Sequence, residues 1–369
     1  MSNLFAVAEH FTPHGKVIDV RSFGNGNIND TFLVTMHAQG NAKVEKHFVL
    51  QRINTHVFRR PDLVMCNMRT STEHIRRRLQ TAGHSKGRRW EMPVVLQAKD
   101  NQDHWLDTDG SFWRAISFIE GAASFDTIKD VGHAGEVGRA VGTFHSLLSD
   151  LPPERLADTL EGFHITPRYL RHYDEVLAKC SAAASPELNY CLGFVSGRRD
   201  WAHVLENARA EGRLLLRPIH GDPKVNNILM DTATMQAVGI VDLDTVKPGL
   251  VHYDIGDCLR SGCNPKGEAT GEWEAVYFET DLCRAILQGY LSAAREFLTE
   301  NDFDYLFDSV RLIAFELGLR FFTDHLEGNV YFKTKWPEHN LARALVQFRL
   351  TESIEAQETV IRKIIRDVR

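Results

Sequence analysis

Eight consecutive residues carry the densest chemistry in this chain: His220-Gly-Asp222-Pro-Lys224-Val-Asn-Asn227. The order H-x-D-x-x-x-x-N is that of phosphoryl-transfer loops, in which the Asp meets a substrate hydroxyl and the Asn lends an amide oxygen to a metal. Pro223 biases Asp222 toward extended backbone, which presents the side chain from a loop and not from a helix. Twenty residues after Asp222 the apolar run Val-Gly-Ile-Val ends in Asp242, where a second metal-binding carboxylate belongs. Magnesium takes hard oxygen ligands, so Asn227 and Asp242 suit it, while Asp222 stays free of metal to accept a proton. An isolated H-x-D also fits a turn with an Asx cap, and the downstream Asp242 argues against that reading.

Positioning such a loop takes two kinds of element. Residues 17–53 read as strands, VIDVRSF, TFLVTM and HFVLQRI, separated by Gly/Asn or polar turns. A helix is expected after Pro61 over LVMCNMRTSTEHIRRRL, then apolar runs at PVVLQA and FWRAISFI that complete a small antiparallel sheet lobe. From about residue 132 the apolar spacing turns helical, interrupted at residues 214–246 by short β-like runs around the polar loops. The expected fold class is α+β in two lobes: 1–120 for nucleotide, 121–369 for catalysis and substrate. Gly24-Asn25-Gly26-Asn27 lies between two expected strands, where backbone N–H groups can approach phosphates with no Cβ in the way. An Asn-Gly hairpin turn is the competing reading of those residues.

Composition narrows the partners. With 25% charged and 43% hydrophobic residues the chain is a folded soluble protein. Its 43 basic and 49 acidic residues give a net charge of −6 and no broad field for gripping nucleic acid. The six cysteines are scattered without a C-x-x-C pair and read as buried thiols. No run reaches ~18 apolar residues, and the N-terminal segment lacks a secretory apolar core, so a cytoplasmic protein without a membrane partner is expected. Trp113, Trp201, Trp273 and Trp336 read as core or lobe-packing residues. Arg76, Arg77 and Arg78 read as a solvated helix face.

The order of glycine loop, sheet lobe, Ile119-Glu120-Gly121 as a hinge, HGDPKVNN, VDLDT and Tyr253-Asp254-Ile-Gly-Asp257 resembles the aminoglycoside phosphotransferase/choline kinase family, with its protein-kinase-like fold. The similarity runs over nearly the whole length, through LFAVAEHF, GNGNINDTFLVT, FVLQRIN, NNILMD and VDLDTVKPG. The block RFFTDHLEGNVYFKTKWPEHNL is no generic motif, and it is similar to members that phosphorylate the anomeric hydroxyl of N-acetylhexosamines. The resemblance implies ATP and magnesium as cofactors, Asp222 as base, Asn227 and Asp242 as metal ligands, and Gly24 and Gly26 over the phosphates, with Asn29 replacing the third glycine. It places Ile119 at the nucleotide hinge. The strand that supplies a phosphate-binding Lys in kinases reads FVLQRI, with Gln51 or Arg52 at that place, Glu73 is a poor ion-pair partner, and Lys224 is the expected substitute at the γ-phosphate.

On the acceptor side, residues 301–350 hold seven acids and six bases, a balance that suits a neutral polyol better than a polycation. Glu316, Arg320 and Asp324 recur at i, i+4 and i+8 on one helical face, with Tyr331 and Lys335 following. Arg320, Asp324 and Tyr331 are the expected sugar contacts; an ion ladder on a surface helix is the competing reading. Kinases of other alcohols (homoserine, choline, an aminoglycoside) and a nucleotide-binding pseudokinase that serves as an interaction module stay open as alternatives.

Overall fold

A computed structural model of the chain describes residues 4–12, 15–24, 28–38, 41–81, 87–180 and 185–369. After helix α1 (Leu4–Glu9), strands β1 (Gly15–Ser22), β2 (Asp30–Ala38) and β3 (Asn41–Ile53) form an antiparallel meander. Helix α2 (Pro61–Thr81) follows, then β4 (Val95–Leu96), β5 (Trp105–Leu106) and β6 (Phe112–Ser117). The sheet order is β1-β2-β3-β6-β4, with β5 on β6. Two-residue alternation divides its faces: Phe48, Leu50 and Ala115 pack with Val7 and Phe11, while Val49 and Ile116 join Met68 and Ile75 of α2. Pro at the first helical position starts α2 without leaving an N–H unpaired.

The expected boundary at residue 120 falls between β6 and β7 (Ala122–Ala123), and β7 already pairs with β9 (Ile228–Asp231), which pairs with β10 (Ala237–Ile240). A two-stranded pair, β8 (Arg217–Ile219) with β11 (Lys247–Gly249), flanks them. Around these strands lie α3 (Val131–Leu148), α4 (Thr166–Leu177), α5 (Pro186–Ser196), α6 (Val204–Ala210), α7 (Val251–Gly262), α8 (Thr280–Ala294), α9 (Glu300–Asp304), α10 (Leu306–Leu326), α11 (His339–Ala356) and α12 (Glu358–Val368). Asp130 caps α3 by accepting from His133 N, and Thr299 with Asp302 forms a capping box on α9. Phe144, Phe307, Phe315, Phe322 and Phe348 are fully buried at the centre of this helical layer. Helices α3 and α8 touch backbone to backbone: a methyl added at Gly138 would collide with the Ile286 carbonyl, so overpacking there costs about 1–3 kcal/mol.

Two expectations need correction. Trp336 is 46% exposed and stacks on His339 at 4.1 Å between ring centres, because it sits in the loop between α10 and α11 and not on a packed helix face. Cys66 is exposed on α2, whereas Cys191, Cys258, Cys263 and Cys283 are buried. Among the described residues no helix is long and apolar enough to cross a membrane.

Candidate active site

The H-G-D-P-K-V-N-N segment runs from the end of β8 to the start of β9, passing through one turn of 3-10 helix at Val225–Asn227. Its opening residues are held on every polar atom. Asp254, in the first turn of α7, accepts His220 N at 2.7 Å and Gly221 N at 2.8 Å, and His145 Nε2 of α3 lies 2.7 Å from the same carboxylate. Thr245 donates to the His220 carbonyl at 2.8 Å. Gly221 has φ +87°, and a Cβ there would lie 2.7 Å from the Thr245 carbonyl, so only glycine fits.

Two histidines that hold this loop are kept in opposite charge states by their partners. His220 Nδ1 accepts from Asp222 N at 3.2 Å, so Nε2 carries the proton donated to the Val241 carbonyl at 3.0 Å; burial lowers its pKa and keeps it neutral. His164, just before α4, meets two acceptors instead: the Gly221 carbonyl at 2.7 Å and Glu316 at 2.9 Å. Both ring nitrogens must donate, so it is an imidazolium. Burial works against that charge, but Glu316 outweighs it and raises the pKa above 6.5.

The backbone that carries Asp222 is thereby fixed, and its side chain is 27% exposed. Lys224 Nζ lies 2.6 Å from its Oδ2, and Asn227 Nδ2 donates to its carbonyl at 2.7 Å and to Oδ2 at 3.2 Å. These contacts fall on Oδ2 and leave Oδ1 for an incoming hydroxyl. Burial pushes the carboxyl up, but the Lys224 ammonium, with Arg260 behind it, outweighs this and holds it below its ordinary value. Lys224 stays charged for the mirror-image reason, with Asp222 and Asp242 overcoming the penalty of its burial.

Asp242 opens a turn of 3-10 helix in left-handed backbone, φ 65° and ψ 57°, with its side chain exposed to the cleft. Crowding by protein atoms, then the Asp244 and Asp222 charges, push its carboxyl up to about 6. Asn227 spends its N–H₂ group on Asp222, which turns its amide oxygen outward. Among the described residues no cluster of three or more His, Cys, Asp or Glu could hold a metal by itself. One carboxylate plus one amide oxygen fits magnesium, which completes its shell with water and substrate phosphates.

The sheet lobe departs from expectation. Gln51, read as a phosphate contact, faces sideways: its Oε1 accepts both Nε and NH2 of Arg114 (2.9 and 2.7 Å) and its Nε2 donates to Thr31 at 3.1 Å. Arg52 points to the other face and pairs with Asp30 at 2.5 Å. Glu73 pairs only with Arg69 on its own helix, at 3.6 Å. Gly24 adopts φ +75° with open space around it; Asn25, Gly26 and Asn27 lie outside the described residues. Ile119 is buried, and the hinge after it is tied by Arg89 NH2 to the Glu120 carbonyl at 2.7 Å.

On the acceptor side the i, i+4, i+8 ladder separates into three jobs. Glu316 is buried under His164 and Thr166, the latter donating at 2.7 Å, and so supports the catalytic loop. Asp324 is 3% exposed, and both oxygens are taken by the loop that follows: Tyr331 N at 2.7 Å, Phe332 N at 3.0 Å and Asn340 Nδ2 at 2.7 Å. It shapes the segment carrying Tyr331, and at this burial it offers almost no surface to a sugar. Arg320 makes no ion pair within 4 Å among the described residues; its guanidinium lies 5.0 to 6.0 Å from the rings of Phe163, Tyr169, Tyr331 and Phe332. Asp257 pairs with Arg260 at 2.8 Å inside α7, and among the described residues its Oδ2 has no partner.

Sequence reasoning passed over His145, His164 and Arg114. The histidines lie 109 and 57 residues from their partners and carry no local signal. Arg114 did carry one: a charge in the middle of the apolar strand Phe-Trp-Arg-Ala-Ile is buried only if paired.

A profile of the APH phosphotransferase enzyme family matches residues 19–294. Among solved structures, the chain is similar to a microcompartment-associated aminopropanol kinase (16% identity, TM-score 0.62, covering 97% of this chain and 98% of that one). It is also similar to the choline kinase of Cryptosporidium parvum (15%, 0.58, 94% and 91%). A third likeness is to the GDP complex of aminoglycoside 2'-phosphotransferase-IIIa (13%, 0.52, 99% of each). At these identities the likeness is one of fold, the protein-kinase-like arrangement of antiparallel sheet and helical lobe.

Proposed function

The chain belongs to the phosphotransferase enzyme family, and from that premise we propose that it is an N-acetylhexosamine 1-kinase, moving the γ-phosphoryl group of ATP to the anomeric hydroxyl of N-acetylglucosamine or N-acetylgalactosamine. The family match ends at residue 294, before α10 and the loop beyond it, so the acceptor must be argued from those residues themselves. The observation that carries the reading is Arg320. A guanidinium with no ion-paired carboxylate within 4 Å among the described residues, though within electrostatic reach of Glu316 and Asp222, keeps its N–H donors for the oxygens of a neutral sugar and suits a cationic acceptor less well. Tyr331 beside it offers a ring for a sugar face and a hydroxyl for a sugar oxygen. The likeness of the 320–341 block to sugar 1-kinases points the same way.

In this reading Asp222 Oδ1 accepts the proton of O1 as the phosphoryl group passes in line. The anomeric hydroxyl is the most acidic in a sugar, so a carboxylate held below its ordinary pKa is base enough. Asn227 and Asp242 would hold magnesium, which supplies charge neutralisation across the β- and γ-phosphates. Lys224, already 2.6 Å from Asp222, is the cation for charge developing on the transferring group. Gly24, Ile119 and the segment between β1 and β2 form the nucleotide side. A screen of ADP release over hexosamines, choline, homoserine and kanamycin, with ATP and magnesium, tests the acceptor class. Phosphorus NMR of the product tests the position: coupling to the anomeric proton is expected, and a product that still reduces, such as a 6-phosphate, sinks the 1-kinase reading. Absence of turnover on every acceptor would favour the binding-module alternative.

A further inference from the structure

In protein-kinase-type phosphoryl-transfer sites a sheet-lobe lysine tied to a carboxylate must be in place for transfer. At the place expected for it strand β3 offers no such cation, since Gln51 is neutral and Arg52 pairs with Asp30 on the other face. The neighbouring strand does. Arg114 of β6 stands directly opposite Gln51 in the register, and its side chain is 1% exposed. Its guanidinium is held by Gln51 and lies 2.5 Å from Asp244 Oδ1, itself 2% exposed and two residues beyond Asp242. Helix α2 contributes the Met65 sulfur at 4.0 Å, and the carboxylate comes from the metal loop. Asp244 Oδ2 accepts Asn29 Nδ2 at 2.6 Å, and Asn29 Oδ1 accepts Asn54 N at 2.9 Å. The side chains of Arg114 on β6 and of Asn29 entering β2 therefore meet on one carboxylate, Asp244, while Gln51 of β3 holds the arginine.

We propose that Arg114 is the sheet-lobe cation of this enzyme and acts as a positioning residue: by fixing Asp244 it fixes the left-handed turn that presents Asp242 to the metal-nucleotide. Stability alone is a weak reason for such a pair, because an apolar replacement of a buried ion pair is often as stable or more so. The pair also offsets the Asp244 charge beside Asp242. The inference rests on the phosphoryl-transfer reading, and calorimetry of nucleotide binding separates the two without any acceptor.

The measurement is the affinity for ADP with magnesium and with EDTA. A wild-type protein that binds ADP in neither condition defeats the functional reading itself. Given wild-type binding, Arg114→Met should weaken binding of ADP with magnesium about 10- to 100-fold, the usual effect of removing a group that orients a metal ligand. Its affinity in EDTA should stay within about threefold. The double variant Gln51→Lys/Arg114→Met returns a cation to β3 and should recover at least about tenfold of the loss. A folded Arg114→Met that keeps the full magnesium-dependent gain overturns the proposal. If circular dichroism shows Arg114→Met unfolded, Asp244→Asn decides, since it breaks the same pair with little change of shape: loss of the gain supports the proposal and retention overturns it.

Discussion

The catalytic loop and the acceptor-side loop are built by different rules. Around His220 and Gly221, four buried or half-buried side chains from four places in the chain, His145, His164, Thr245 and Asp254, fix the backbone directly or through one another. Residues 328–338 depend chiefly on one carboxylate, Asp324, assisted by Asn329 donating to the Pro337 carbonyl at 2.9 Å, and they leave Val330, Tyr331 and Trp336 exposed. In-line transfer loses rate steeply with small misplacement, so its loop is over-determined. A loop held by one carboxylate can change without disturbing the braced one, which is how one fold can serve many acceptors.

The largest expected effect tests the over-determined side. Asp222→Asn should lower kcat by about 10²- to 10⁴-fold with ATP affinity nearly intact, since the scaffold holds the loop without that charge. A coupled ADP assay beside calorimetry checks both halves; a variant keeping more than about a tenth of kcat excludes the base and positioning roles. Asp254→Asn comes next. It sets an amide against two N–H donors and His145, and should cost about 2–3 kcal/mol in denaturant unfolding together with kcat. Asp324→Asn should act on the other loop alone, raising the acceptor KM by about tenfold at unchanged ATP KM. If it lowers kcat as much as Asp254→Asn does, the division between the two loops is false.

The smallest effect is a pH slope. His164 has a folded pKa above its unfolded value of 6.5, so its contribution to stability is complete below 6.5 and is lost as pH rises through the folded pKa. Thermal midpoints should therefore fall on the alkaline side of 6.5 by at most one proton's worth, about 1.4 kcal/mol per pH unit. His164→Gln should flatten that slope. An unchanged slope would mean that Glu316, not His164, carries the proton between them.

Local order in the chain was enough for much of this protein. Asp222, Lys224, Asn227 and Asp242, the residues of the proposed mechanism, are read from two short segments, because a loop that is to present a carboxylate and an amide to one metal has to keep their spacing. The alternation in β2 and β3 and the helical spacing of α3, α8 and α10 follow from the periods of strand and helix. The fate of equivalent-looking side chains was settled only by what the fold brings beside them. Glu316, Arg320 and Asp324 share one spacing, yet the first supports a histidine 152 residues away, the last clamps a loop, and only Arg320 is left unpaired. Gln51 and Arg114 lie 63 residues apart and meet because β3 and β6 are neighbours in the sheet. Burial makes an unpaired charge costly, so each buried ionic group takes whichever partner tertiary packing supplies, and no sequence period encodes that choice.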